Sequence, residues 1–92
     1  MGKPRVEIEY CRQCGFLPRA TWMAQELLGA FSEELGELAL VPGGMGAFIV
    51  RLDGEEVFSK KAVGRYPEPR ELKELLAARI APDRHFGHKR EP

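Results

Sequence analysis

Cys11 and Cys14 are the only two cysteines in the chain, and the residues between them are Arg12 and Gln13. Three chemistries are open to such a CxxC pair. It can cycle between dithiol and disulfide, because one sulfur can attack a partner's disulfide and the other can resolve the mixed disulfide. It can contribute ligands to a metal, or it can pack as two small apolar side chains. A tetrahedral zinc site needs two further ligands. The candidates, His85 and His88, stand at the far end of the chain, not the dozen or so residues away that a compact finger uses. No metal is therefore expected. Redox use is favoured over inert packing by where the pair falls among the elements that must hold it.

Arg5 to Tyr10 reads R-V-E-I-E-Y. Val6, Ile8 and Tyr10 face one way and Arg5, Glu7 and Glu9 the other, the period of a half-buried strand. A charged second face requires water, so helices are expected on one side of the sheet only. After the cysteines, Ala20, Met23, Ala24, Leu27, Phe31 and Leu35 recur at three- and four-residue spacing. They predict an amphipathic helix of about four turns, with Pro18 in its first turn and Gly36 as its C-terminal cap. The CxxC thus falls between a strand and a helix start. Free N–H groups and a partial positive charge there stabilise a thiolate and lower a cysteine's pKa. Arg12 and Arg19 add positive charge and Glu9 opposes it.

Leu38 to Val41 predicts a second strand and Ala47 to Leu52 a third, separated by the glycine-rich PGGMG. Asp53-Gly54 is a hairpin signal, returning the chain as a fourth strand from Glu55 to Ser59. Lys60 to Pro69 reads as a loop. Pro69 opens a second helix with Leu72, Leu75, Leu76 and Ile80 on one face, and Pro82 ends it. The order β-α-β-β-β-α predicts an α/β fold. A parallel crossover and an antiparallel hairpin make a four-stranded mixed sheet with two helices on one face, the core of the thioredoxin-like fold. Residues 1–84 are expected to form this single domain and residues 85–92 a C-terminal tail.

Fourteen basic and fourteen acidic residues balance among 92, which does not indicate nucleic-acid binding. No apolar run approaches the roughly 20 residues of a membrane span, and MGKPRVEIEY lacks the apolar stretch of a signal peptide. The chain is expected to be soluble and cytoplasmic, where a close cysteine pair argues against a structural disulfide framework.

Several segments resemble the selenoprotein W-related family, also called the SelT/SelW/SelH or Rdx family: VEIEYCRQCGFLPRA, LVPGGMGAFIVRLDGEEVFSKK, GRYPEPRELKELL and the tail IAPDRHFGH, which is similar to tails of prokaryotic members. The resemblance covers nearly the whole chain. Its most specific parts are the CxxC followed by Gly15, Pro18 and Arg19, and SKK-x-x-G at Ser59 to Gly64. It implies a thioredoxin-like fold and a thiol-redox role in cell redox homeostasis, with glutathione- or peroxide-linked chemistry in some members. Selenoprotein members carry selenocysteine at the second redox position, which here is Cys14. Family logic makes Cys14 the more reactive group, whereas thioredoxin logic favours the first cysteine. Because it begins the turn, Cys11 is expected to be the more open sulfur and the nucleophile. Sulfur in place of selenium argues against fast peroxide reduction.

Around this pair, Arg12, Phe16, Pro42, Gly43 and Gly44 are the candidate substrate contacts, with the PGGMG loop presenting backbone to a peptide-like substrate. Plain turn formation is the structural alternative for that loop. Trp22 joins Phe16 as a candidate apolar rim, and Tyr10 serves the core or sits beside a sulfur. Lys60, Lys61 and Arg65 form either a solvated loop or an attraction for an anionic substrate. No cofactor is expected beyond glutathione as co-substrate, and the expected partners are glutathione or protein disulfides. The alternative is a protein-interaction module, docking a partner or a second copy through the uncovered sheet face, with Ile49 and Phe58 as its outward apolar residues.

Overall fold

The computed structural model describes residues 2–83; His85, His88 and the expected tail at 85–92 lie outside the described residues. Strand β1 runs Arg5–Cys11, helix α1 Leu17–Ala30, strand β2 Glu37–Gly43, strand β3 Phe48–Leu52 and strand β4 Glu55–Ser59. A short helix α2 spans Lys60–Val63, and α3 spans Pro69–Ile80. The sheet order is β2-β1-β3-β4. β1 is parallel to β2 and antiparallel to β3, and β3 is antiparallel to β4. This is the mixed sheet expected from the alternating pattern, with one additional helix.

Val6, Ile8 and Tyr10 of β1 turn inward with Phe48, Val50 and Leu52 of β3. There they meet Ala20, Met23, Ala24 and Leu27 of α1 and Leu72, Leu76 and Ala77 of α3 in one contiguous apolar cluster. Fully burying a large aliphatic or aromatic side chain stabilises the fold by about 1.5–3 kcal/mol. The opposite sheet face carries a charge ladder. Arg5 pairs with Glu7, Glu7 lies 3.7 Å from Arg51, and Arg51 bonds Glu9 at 2.8 Å. Helices therefore cover one face, and water reaches the other.

The hairpin forms as its sequence dictates. Asp53 (φ 50°) and Gly54 (φ 87°) both adopt the left-handed region that a type I′ turn requires. Asp53 Oδ1 also accepts the Arg5 N–H at 2.9 Å, fastening the start of β1 to the turn.

Four expectations are corrected. α1 ends at Ala30, not near Leu35; the N–H groups of Glu34 and Leu35 both bond to the Phe31 carbonyl in a turn that keeps Phe31 and Leu35 buried. Gly36 is thus no helix cap: its N–H donates to the Pro4 carbonyl at 2.8 Å. The loop expected at Lys60 to Pro69 begins with α2, capped by Ser59, whose Oγ accepts the Ala62 N–H at 3.4 Å. Phe58 points into the core, not out to solvent. An undisturbed two-residue hairpin would set Phe58 opposite Ile49 on the charged face. A bulge beside Val50 and Arg51 instead pairs Phe58 with Val50, and Phe58 is buried. Ile49, opposite Glu9, does lie on the uncovered face and is half-buried.

Candidate functional site

Cys11 is the last residue of β1, one of the two central strands, and lies across from Gly43 of β2. Its N–H donates to the Ala47 carbonyl at 2.8 Å, so the loop joining β2 to β3 runs beside it. Cys14 follows on the turn that leads to α1, where Gly15 (φ +73°) redirects the chain. The two are joined by a disulfide, with Cα atoms 5.5 Å apart. A site at the carboxyl end of a central strand is where open α/β sheets place their ligands.

The sulfurs differ in access. Cys11 is 1% exposed, whereas Cys14 is exposed. The expectation that Cys11 is the more open sulfur is therefore reversed. Cys11 still belongs to the strand, with neighbouring backbone on both sides, while Cys14 stands on the outer bend. The relation to the helix also needs correction. The N-cap of α1 is Phe16, so Cys14 precedes the first turn by two residues and does not lie within it. A helix dipole acts mainly over its terminal turn, and Cys14 sits at the margin of that influence.

The loop after β2 reaches the pair through a residue the sequence reading did not single out. Met45 Sδ lies 3.8 Å from Cys14 Sγ, and Met45 is largely exposed. The sequence signal was a lone thioether flanked by glycines, which composition alone assigns to a turn. Gly44 forms the turn itself, its carbonyl accepting the Ala47 N–H at 3.1 Å. Pro42 lies within β2, exposed and paired with Tyr10. Gly43 faces a carboxylate: a Cβ there would stand 2.7 Å from Glu9 Cδ.

On the other side, Phe16 packs edge-on against Phe48 and Tyr66, with ring centroids 6.4 and 5.1 Å away. The Arg19 guanidinium sits 4.0 Å from the Tyr66 ring centre, and Lys60 Nζ lies 5.1 Å from Tyr66 and 5.7 Å from Phe16. Tyr66 is a second residue the sequence reading missed, since it lies far along the chain in a proline-rich loop. An open depression lined by Gly15, Pro18, Arg19 and Trp22 begins at the residue that follows Cys14. Arg12 is exposed between the cysteines. Tyr10 is in the core. Arg65 is turned to Glu71, which it binds through two nitrogens at 2.8 and 2.9 Å. A larger cavity along α3 is lined by residues such as Arg65, Glu71 and Leu75 and includes neither cysteine.

A parallel β1–β2 pair, an antiparallel β3–β4 hairpin, helices packed on one face and a CxxC after the first strand define a thioredoxin-like protein. Residues 5–78 match the Rdx family, and the chain belongs to that family. Among solved structures, it is similar to a selenoprotein W-related protein from Vibrio cholerae, with 39% identity and a TM-score of 0.81 over 84% of this chain and 96% of that one. It is also similar to a protein from Bordetella parapertussis, with 43% identity and a TM-score of 0.83 over 86% of this chain and all of that one. Proteins named migration and invasion enhancer 1 from Mus musculus and Bos taurus are 37% and 36% identical over 77% and 78% of the chain. The chain spans 60% and 61% of the length of these two curated relatives.

Proposed function

We propose that the chain is a small thiol–disulfide redox protein in which Cys14 attacks and Cys11 resolves. The observation that carries this reading is the unequal exposure of two bonded sulfurs, one buried on the strand and one open on the turn. A reduced Cys14 thiolate attacks a disulfide of glutathione or of a protein. Cys11 then displaces the partner and closes the internal bridge. Arg12 and the Phe16 ring flank the attack site, with Arg19 and Lys60 nearby to draw an anionic partner such as glutathione. Gly44 of the loop and Pro42 near the end of β2 offer backbone to it. Redox homeostasis in the cytoplasm is the setting we assign to it.

Single substitutions test the order of attack. After reduction and exposure to glutathione disulfide, Cys11→Ser should accumulate a glutathione adduct on Cys14, and Cys14→Ser should accumulate far less. The reverse pattern would reject the assignment, and no adduct on either variant would reject the exchange reading. A second reading, docking through the uncovered sheet face, is favoured by the half-buried Ile49 and Val41 on that face. Replacing both cysteines by serine separates the two, because a docking module keeps its partner or its dimer and an oxidoreductase loses exchange.

A further inference from the structure

Resolution by Cys11 poses a problem of protons. A buried thiol resists ionisation because burial disfavours the charged form, yet only the thiolate displaces a disulfide. Some group near Cys11 must take its proton.

Gly43 stands directly across from Cys11 in the β1–β2 register. With no side chain, it leaves a gap, and the Glu9 side chain occupies that gap. A Cβ at Gly43 would meet Glu9 Cγ, Cδ and Oε2, with Cδ at 2.7 Å. Glu9 and Cys11 are two residues apart on one strand, so they project to the same face. The carboxylate therefore lies over the residue that pairs with Cys11 across the β1–β2 register. Its Oε1 is held by Arg51 Nη2 at 2.8 Å, and its Oε2 is the oxygen that overlies Gly43. The charged groups around it are Arg51 from β3 and Glu7 on its own strand, with Glu56 of β4 across from Arg51. β2 presents Val41 and Gly43, which do not titrate.

We propose that Glu9 accepts the proton of the Cys11 thiol in the resolving step, and that Gly43 is glycine to let it do so. This rests on the reading of Cys14 as the attacking sulfur. The step begins from a mixed disulfide between Cys14 Sγ and the partner sulfur. Glu9 takes the Cys11 proton, and the Cys11 thiolate attacks Cys14 Sγ. The Cys11–Cys14 bond forms as the bond to the partner breaks. The electron pair leaves on the partner sulfur, which is protonated from solvent. Cys11 and Cys14 are oxidised and the partner disulfide is reduced. Transfer moves one negative charge from carboxylate to sulfur without adding a second to the site.

The test uses the full chain with glutathione disulfide as probe, following adduct formation and release by acid quench and mass spectrometry from pH 6 to 10. Glu9→Gln should form the adduct no more slowly than the wild type and release it on the order of 100-fold more slowly at pH 7, the range of a lost general base. The deficit should shrink as the pH rises and solvent removes the thiol proton. Gly43→Ala, whose Cβ would displace the Glu9 side chain from Cγ outward, should show the same pH signature. Release at the wild-type rate in both variants would overturn the proposal. A deficit constant across pH would also overturn it, marking a purely structural role. If the wild type forms no adduct, the exchange reading itself fails, an outcome distinct from the loss of Glu9 alone.

Discussion

A sulfur partner approaching from solvent meets Cys14 before Cys11, because Cys14 lies on the outer bend and Cys11 is enclosed at the end of its strand. Met45 touches the exposed sulfur, and a soft thioether makes a tolerant neighbour for a group whose partner changes during exchange. Another single carboxylate shows how position tunes a side chain. The hydrogen bond from Arg65 holds Glu71 below the ordinary glutamate value, helped by the Glu68 N–H and opposed by partial burial. A carboxylate with a depressed folded pKa contributes stability above its unfolded pKa and loses it as the pH falls through the folded value. Glu71→Gln keeps an acceptor for the Glu68 N–H but removes the charge. The wild type should be the more stable protein at pH 7. The gap should close as the pH falls below about 4.5, the ordinary value for this group. Thermal melts of both proteins from pH 7 to 3 would check this, and a gap that does not change with pH would contradict it.

The β3–β4 hairpin depends on two successive residues in the left-handed region. Gly54→Ala should destabilise the protein by about 1–2 kcal/mol, the cost of forcing a Cβ into that conformation. In a domain of this size, each kcal/mol shifts Tm by about 4–8 °C, and an unchanged Tm would contradict the turn. This element was readable because Asp-Gly has a local mechanism. The four strands and the start of α3 were readable for the same reason, each marked by alternation, a short apolar run, a turn pair or a proline. What escaped were features that local pattern does not encode. The bulge in β4 reverses the side on which Phe58 lies, and nothing in E-E-V-F-S announces an extra residue. Phe31 and Leu35 keep helical spacing although the helix has ended, because a turn also brings residues four apart together. α2 had its signals, Ser59 before it and Gly64 after it, but it is four residues long and carries no apolar stripe.

Across the molecule, charge is balanced in number and sorted in space. Arg5, Arg51, Arg65, Lys73 and Arg79 are tied to carboxylates, while Arg19 and Lys60 lie against the rings of Tyr66 and Phe16. A net charge of zero hid that arrangement from composition. The cysteine pair itself was legible, since its spacing and its place after a strand are sequence properties. Which sulfur is open was not, because that depends on where the strand ends and on the loop from β2 arriving beside it. Among the described residues, no helix is long and apolar enough to cross a membrane. The decisive measurement is site-resolved alkylation of the fully reduced protein, timed and mapped by mass spectrometry. Cys14 should be labelled first and Cys11 much later. Faster labelling of Cys11, or equal rates at the two, would contradict the division of labour on which this account stands.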